Sequence, residues 1–387
     1  MKRLAIITTH PIQYNAPLFK LLAIRNNIKI KVFYTWSQLE NGNKYDPGFK
    51  KNIEWDIPLL DGYEYEFINN TSSEPGSHHF KGIVNPDVIE KIEKYSPNAI
   101  LVFGWAFKSH LKIIRYFKNK IPVYFRGDST LLDRTNWYKA FARFILLRWI
   151  YSHVDYALYV GRNNKKYFIK YGLKEKQLIF ALHAIDNNRF ANPDEKYTDE
   201  AIRWRRDLNI LKTDMVLIFS GKFEPKKNPL FLLDILKNCD SDHLKIIVAG
   251  DGIFENELRE FAAKDNRLIV LGFQNQQKMP VIYRLGDVFI LPSVGPGETW
   301  GLAANEAMAS GLAVMLSEKV GGAIDLIKED KNGIIFNPVD IKKCVSFIEE
   351  LIGNKDKLTE MKKMSKSLIG EFSFIHIVNA IEELVLN

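Results

Sequence analysis

Hydrophobic positions along this chain come in two patterns. Short unbroken apolar runs read as buried strands: RLAIIT, IKVFYTW, NAILVFG, IPVYFRG, VDYALYVG and QLIFALH. Between them lie stretches whose apolar residues recur three or four apart, which read as helices: PLFKLLAIR, PDVIEKIEKY, WYKAFARFILLRWIYS and NNKKYFIKYG. In PDVIEKIEKY the expected cap is Asn85, with Pro86 at the first helical position, where a missing N–H costs nothing. The rhythm breaks at DNNRFANPDEKYTDEAIRWRRDLNILKTD, a polar, charged stretch with no strand and one expected helix. It restarts with MVLIFSG, LKIIVAGDG, RLIVLGF, DVFILPS and LAVMLS as strands and PLFLLDILKNC, IFENELREFAAK and LAANEAMAS among the helices. A strand-then-helix repeat requires parallel strands with crossover helices. The expectation is α/β, with two doubly wound, Rossmann-like parallel-sheet domains. Their expected bounds are 1–190 and 213–372, with a linker region at 191–212 and a closing helix at 373–387. Such sheets bind ligands beyond the C-terminal ends of their strands, so the two domains are expected to face a shared cleft.

Length and composition agree with this division. The chain has 387 residues, 46% hydrophobic and 26% charged, a soluble globular balance too long for one ordinary core. Its two cysteines, Cys239 and Cys344, form neither a metal spacing nor a disulfide framework, which fits a reducing cytosol. The start, MKRLAIITTHPIQY, has an apolar run of only about five residues before His10 and Pro11 and reads as a first strand, not a leader. No apolar run reaches the roughly 18 residues of a membrane span.

Charge changes the picture more. The net charge is +8, but Leu101 to Lys174 holds 15 Lys/Arg against 3 Asp/Glu, so that stretch carries +12 and the remainder −4. A basic half suits nucleic acid, anionic lipid or an anionic ligand. No DNA or RNA motif accompanies it, so nucleic acid is not expected. NWYKAFARFILLRWIYS sets Lys139, Arg143 and Arg148 among Trp137, Tyr138, Phe141, Phe144 and Trp149. Most of those apolar residues are expected to face the core, while some could rest on an anionic membrane surface.

The candidate chemistry concentrates in GPGETWGLAANEAMASG, residues 295–311. Glu298 lies in the glycine-rich loop after strand DVFILPS, one turn before a helix N-terminus that offers unpaired N–H groups to a phosphate. Glu306 lies two turns inside the helix among Ala303, Ala304 and Ala307, which leave room for a ligand. A carboxylate accepting two hydrogen bonds suits a vicinal diol. Upstream, SGKFEPKKNP ends another strand with Lys222, Lys226 and Lys227 around Pro225, cations placed to neutralise a pyrophosphate. Taken singly, these are ordinary surface glutamates and loop lysines. Taken together they suggest sugar, pyrophosphate and ribose in line.

These motifs resemble the GT-B retaining glycosyltransferases of the family-4 type, glycosyl transferases group 1. ETWGLAANEAMASG resembles the family's E-x-F-G-L-x-x-x-E-A-M-A-x-G, with Trp300 in place of the usual Phe. SGKFEPKKNP resembles its G-R-L-x-x-x-K-G loop, with Lys222 at the Arg and Lys227 at the Lys. VAGDG, LGF, DVFILPS, VGGAIDLI and NGIIFNPVD follow in the family's order, and the resemblance covers roughly residues 150–387. It implies that Lys222 and Lys227 hold the donor diphosphate, Glu298 the hydroxyls of the transferred sugar and Glu306 the ribose. The turn at Gly272 and Phe273 would meet the base, and Gly221, Thr299, Gly301 and Leu302 would complete the donor-binding set. The substrate implied is a UDP- or GDP-sugar, with no cofactor and no metal. Two lysines and a helix N-terminus suffice to stabilise the charge growing on the leaving diphosphate. The closing FSFIHIVNAIEEL resembles the family's final helix, which crosses back to the first domain.

The first half matches less closely. TTHPIQYNAPLFKLL resembles the start of a subset of bacterial polysaccharide glycosyltransferases, which implies that His10, Gln13, Tyr14 and Asn15 face the cleft on the acceptor side. Where the family often has a histidine, YFRGDST has Arg126 and Asp128. His10 or Arg126 is expected to take over part of the catalytic contact with sugar or acceptor; the plainer reading is that His10 orients its loop. DSD at 240–242 and RGD at 126–128 read as loops, and His78 and His79 lack metal-ligand companions. The expected function is retaining transfer of a sugar to a glycan or lipid-linked glycan in bacterial surface polysaccharide synthesis (lipopolysaccharide or capsule). The expected location is the cytoplasm, with docking on the inner face of the cell membrane. The rivals are a GT-B sugar-nucleotide epimerase and a non-catalytic nucleotide-sugar-binding partner of a polysaccharide complex. Hydride transfer is disfavoured, since no G-x-G-x-x-G follows either domain's first strand.

Overall fold

The computed structural model describes residues 1–36, 44–46, 51–53, 56–133, 136–192 and 195–387; Pro193 and Asp194 of the expected linker lie outside these. The chain divides into two compact units. One comprises Met1–Lys44, Ile53–His183 and Phe374–Asn387, the other Tyr45–Asn52 and Ala184–Ser373.

The strands of the first half are β1 (Arg3–Thr8), β2 (Lys29–Tyr34), β3 (Lys44–Asp46), β4 (Lys51–Ile53), β5 (Tyr65–Phe67), β6 (Ala99–Phe103), β7 (Val123–Arg126), β8 (Tyr156–Tyr159) and β9 (Leu178–Phe180). Seven of them form one sheet in the order β5-β2-β1-β6-β7-β8-β9, and β3 pairs with β4 separately. Every pairing in the seven-stranded sheet is parallel. The second half has β10 (Met215–Ser220), β11 (Leu244–Ala249), β12 (Leu268–Gly272), β13 (Val288–Leu291), β14 (Ala313–Ser317) and β15 (Gly333–Phe336). They form a six-stranded sheet in the order β12-β11-β10-β13-β14-β15, again parallel throughout. β10 is buried at every position, which is why its sequence is an unbroken run and not an alternation. Each such Val, Leu, Ile or Phe contributes about 1.5–3 kcal/mol by leaving water.

Sheet order decides where ligands can sit. In the second sheet the chain runs outward from β10 to β12, then returns to place β13 on the other side of β10. The loops after β10 and β13 therefore diverge around a crevice at the C-terminal edge. In the first sheet the same switch lies between β1 and β6.

The helix Phe374–Leu386 packs in the first unit, against the helix Ala16–Arg25. There Arg25 Nη2 meets Glu382 Oε2 at 3.2 Å, and Tyr124 donates to the Leu384 carbonyl at 2.6 Å.

Three local expectations are corrected. Asn85 caps no helix: the helix begins at Val88 with Asp87 at its cap. Asn85 is buried, and its amide donates to the carbonyls of Thr35, Ile68 and Asn69, tying the chain after β2 to the chain after β5. The polar stretch from residue 186 carries two helices, Asn187–Ala191 and Glu195–Asp207, not one. The helix Trp137–Tyr151 does not turn most of its apolar residues inward: only Leu147, Ile150 and Tyr151 are buried.

Candidate active site

The residues expected to bind the donor all lie in the second unit. Gly221 directly follows β10 and opens the loop that presents Lys222, Lys226 and Lys227. The loop after β13 presents Ser293 to Glu298. Val294 donates its N–H to the Lys226 carbonyl at 2.9 Å, so the two loops are fastened together across the switch point. This brings Lys227 Nζ to 2.6 Å from Glu298 Oε2. Ser293 Oγ donates to the same carboxylate oxygen at 3.1 Å. Glu298 is 8% exposed and Ser293 fully buried. Charges so placed need partners, and here they have them.

Glycines let the backbone close around this pair. Gly301 precedes the helix Leu302–Ala309 with φ +91°, and a Cβ there would sit 2.7 Å from Val320 Cγ1. Gly250, after β11, comes so close to the first loop that a Cβ would overlap the Gly221 carbonyl oxygen. Gly321 and Gly322 donate to the carbonyls of Glu298 and Trp300 at 2.9 and 3.0 Å, which braces the loop before the helix. Trp300 is buried, and its indole N–H donates to Asn305 Oδ1 at 2.9 Å. Thr299 and Leu302 flank this turn, at the helix end where backbone N–H groups and positive dipole favour an anion.

Glu306 is 3% exposed, and Tyr283 donates its hydroxyl to Glu306 Oε2 at 2.8 Å. A surface glutamate on an alanine-rich helix is therefore ruled out for both carboxylates. Phe273, half-buried, follows β12 on the same C-terminal edge. DSD at 240–242 precedes β11, at the opposite edge. Among the described residues, no three His, Cys, Asp or Glu side chains are grouped to hold a metal ion.

The residues expected on the acceptor side lie in the first unit. His10 follows β1; its Nδ1 lies 3.0 Å from Thr9 Oγ1, and its ring meets Trp36 edge-on with centroids 5.4 Å apart. Gln13 and Tyr14 follow in the same loop, and Asn15 is the residue before the helix Ala16–Arg25. Arg126 ends β7, two strands away from β1. It is buried, and its guanidinium donates to the carbonyls of Ala181 and Leu182 at 2.6 and 3.0 Å. Burial pushes Arg126 down to about 10, with Asp128 pulling the other way. Arg126 thus fixes the chain that leads to His183, whose Nε2 lies 3.6 Å from Asp128 Oδ2. Burial pushes the His183 imidazole below its ordinary value, which favours the neutral ring.

Sequence reasoning missed Ser293, Tyr283 and His183. Ser293 and His183 each close a strand-like run, DVFILPS and QLIFALH, which was the available signal. Tyr283 carried none, because its helix reads as ordinary core. His78 and His79 meet edge-on with ring centroids 4.9 Å apart, and His79 Nε2 lies 2.9 Å from the Glu74 carbonyl oxygen.

Comparison with known proteins bears on the family and the fold. Residues 200–368 match the family model of glycosyl transferases group 1. Over 144 residues, 36% of each chain, the protein is 30% identical to an uncharacterized glycosyltransferase of Methanocaldococcus jannaschii. Over 188 residues it is 26% identical to the UDP-Gal:alpha-D-GlcNAc-diphosphoundecaprenol alpha-1,3-galactosyltransferase of Escherichia coli, covering 46% of this chain and 47% of that one. The matched segments thus span between a third and a half of these relatives. The crystal structure of Anabaena HepE in complex with UDP superposes with a TM-score of 0.72 at 18% identity over 100% of both chains, which shows that the fold is GT-B. The segment that matches the glycosyl transferases group 1 model, residues 200–368, carries both the loop after β10 and the loop after β13.

Proposed function

We propose that the protein transfers a sugar, with retention of configuration and without a divalent metal, from a UDP- or GDP-sugar to a glycan or lipid-linked glycan acceptor. The setting is bacterial surface polysaccharide synthesis, lipopolysaccharide or capsule, in the cytoplasm and at the inner face of the membrane. The observation that carries this reading is the ion pair of half-buried Lys227 with buried Glu298, beside the Gly301-capped helix. A lysine and a helix N-terminus hold the two negative charges of a diphosphate, and Lys222, from the same loop, adds a third donor. As the bond from sugar to diphosphate breaks, the growing negative charge falls on groups already oriented for it. Glu298 then accepts from hydroxyls of the sugar, and Glu306 from the ribose diol. The E. coli relative uses UDP-Gal and a diphosphoundecaprenol-linked acceptor by name, which supports a lipid-linked acceptor here. On the acceptor side, His10, Gln13, Tyr14, Asn15 and Asp128 supply the polar contacts, and Arg126, held on the Ala181 and Leu182 carbonyls, sets the path of His183.

A thermal-shift screen against UDP-, GDP-, ADP-, CMP- and TDP-sugars, with and without EDTA, tests the donor. Stabilisation by one nucleotide that survives EDTA and weakens in Glu306→Ala is expected. Transfer to lipid-linked acceptors, with the anomer read by NMR, tests the rest. No shift with any nucleotide and no turnover would overturn the proposal. Conversion of the donor without acceptor would install the epimerase, and binding without turnover the non-catalytic partner.

A further inference from the structure

The helix Trp137–Tyr151 exposes what a soluble surface normally hides. Trp137 is 82% exposed, Phe141 63%, Ile145 56% and Trp149 41%. These four are spaced four apart and form one stripe along the helix. Tyr138 and Leu146, also exposed, widen it. The stripe is bordered by Lys139, Arg143 and Arg148, all exposed, and the helix has no acidic residue. The surrounding segment carries the +12 excess. Arg115, from the helix Lys108–Phe117, adds its guanidinium over the Trp149 ring at 5.2 Å. Single exposed apolar residues need no explanation, but a continuous stripe does.

We infer that this face is a docking surface for an anionic lipid bilayer, with the aromatic and aliphatic stripe entering the headgroup region and the cations meeting lipid phosphates. Charge complementarity selects this occupant. A second copy of the chain would set the same cations against each other, at a cost in like-charge repulsion. Trp, Tyr and Phe beside Lys and Arg is the composition that favours a membrane–water interface. The helix lies on the surface and does not cross it: among the described residues no helix is long and apolar enough to span a membrane. The inference gives a specific surface to the membrane placement proposed above and is independent of the donor chemistry.

The test is co-sedimentation with phosphatidylcholine vesicles containing about one third phosphatidylglycerol, against pure phosphatidylcholine, at low and high salt. The variants are Trp137→Ser/Phe141→Ser and Lys139→Gln/Arg148→Gln, all at exposed positions outside the donor and acceptor residues. Wild type is expected to bind the anionic vesicles and to release in high salt. The charge variant should bind on the order of 30-fold less tightly, at about fivefold per cation. The aromatic variant should lose binding while keeping its nucleotide-induced thermal shift, which separates this surface from the donor site. Wild-type failure to bind anionic vesicles, or unchanged binding by the aromatic variant, would overturn the inference. So would a concentration-dependent dimer that this variant abolishes, which would assign the face to a second copy.

Discussion

Lys227→Met is the perturbation that best tests the donor site. The substitution keeps the side chain's length and removes its charge. Glu298, 8% exposed, is then left with the Ser293 hydroxyl at 3.1 Å in place of an ammonium at 2.6 Å. Removing one partner of a buried ion pair costs about 3–5 kcal/mol. The remaining serine bond, with the partial solvent access of Lys227, places this case near the bottom, at about 3 kcal/mol. A unit of this size loses about 2–4 °C per kcal/mol, so its transition should fall by roughly 6–12 °C. The transition to follow by calorimetry is the one that nucleotide shifts in the wild type. The double variant Lys227→Met/Glu298→Gln decides what the loss means. It leaves no unpaired buried charge, so stability should return to within about 1 kcal/mol of wild type. Nucleotide should still fail to stabilise it, because the proposed partner of the diphosphate is gone. A single variant melting within a degree of wild type would refute the energetic reasoning. A single or double variant with the full nucleotide shift would refute the role of Lys227.

Other expectations are as specific. Gly301→Ala forces a left-handed residue and places a methyl 2.7 Å from Val320 Cγ1; a loss of about 1–3 kcal/mol by urea unfolding is expected, together with the nucleotide shift. Tyr283→Phe removes a donor from the Glu306 carboxylate, worth about 1.5–3 kcal/mol for a bond to a charged group; steady-state kinetics should show a raised donor KM with kcat nearly unchanged. His110 is fully buried, with Nδ1 near the Phe103 and Gly104 carbonyl oxygens at 3.1 and 2.9 Å and Nε2 2.8 Å from Thr35 Oγ1. Burial lowers it to about 4, so the fold accepts the neutral ring while the unfolded chain takes up the proton first. Its contribution is intact above the ordinary value of about 6.5 and is lost as pH falls toward 4, by about 3 kcal/mol. The urea midpoint should fall over that window, and His110→Gln should flatten the slope; an unchanged slope would refute the assignment.

Elements whose neighbours are fixed by chain order were legible in the sequence. An unbroken run such as MVLIFSG can be buried on both faces only as a central parallel strand, so the sheets followed from the pattern. Asn85 shows where that reading stops. An asparagine before a proline and an amphipathic run is locally a cap, but three carbonyls from two strand ends offered more than one helix terminus could. The helix Trp137–Tyr151 shows a second limit. Its apolar residues occur nearly all round the cylinder, so periodicity could not say which arc met the sheet. Lys108–Phe117 was passed over because its apolar residues are interleaved with four charged or histidine side chains, although Ile113, Ile114 and Phe117 are buried.

The convergence of the proposed donor residues was legible for a different reason. Lys227 and Glu298 are 71 positions apart, and nothing local links them. Each lies in the loop after its own strand, and a doubly wound sheet makes the first strand and the one that crosses back immediate neighbours. The switch point thus converts two separate loop motifs into one site, and reading both as strand ends was enough to expect their charges to converge. The same logic applied to the first unit reached only halfway. His10 and Arg126 were placed at the correct edge, but β6 stands between their strands. Arg126 faces the chain after β9 instead, where it sets the path of His183 toward Asp128. If that path matters for the acceptor, Arg126→Lys should act through geometry. A lysine keeps the charge but cannot reach two carbonyls as a planar fork does. Acceptor KM should then rise while the donor-induced thermal shift stays unchanged. An unchanged acceptor KM would leave Arg126 with a purely structural task.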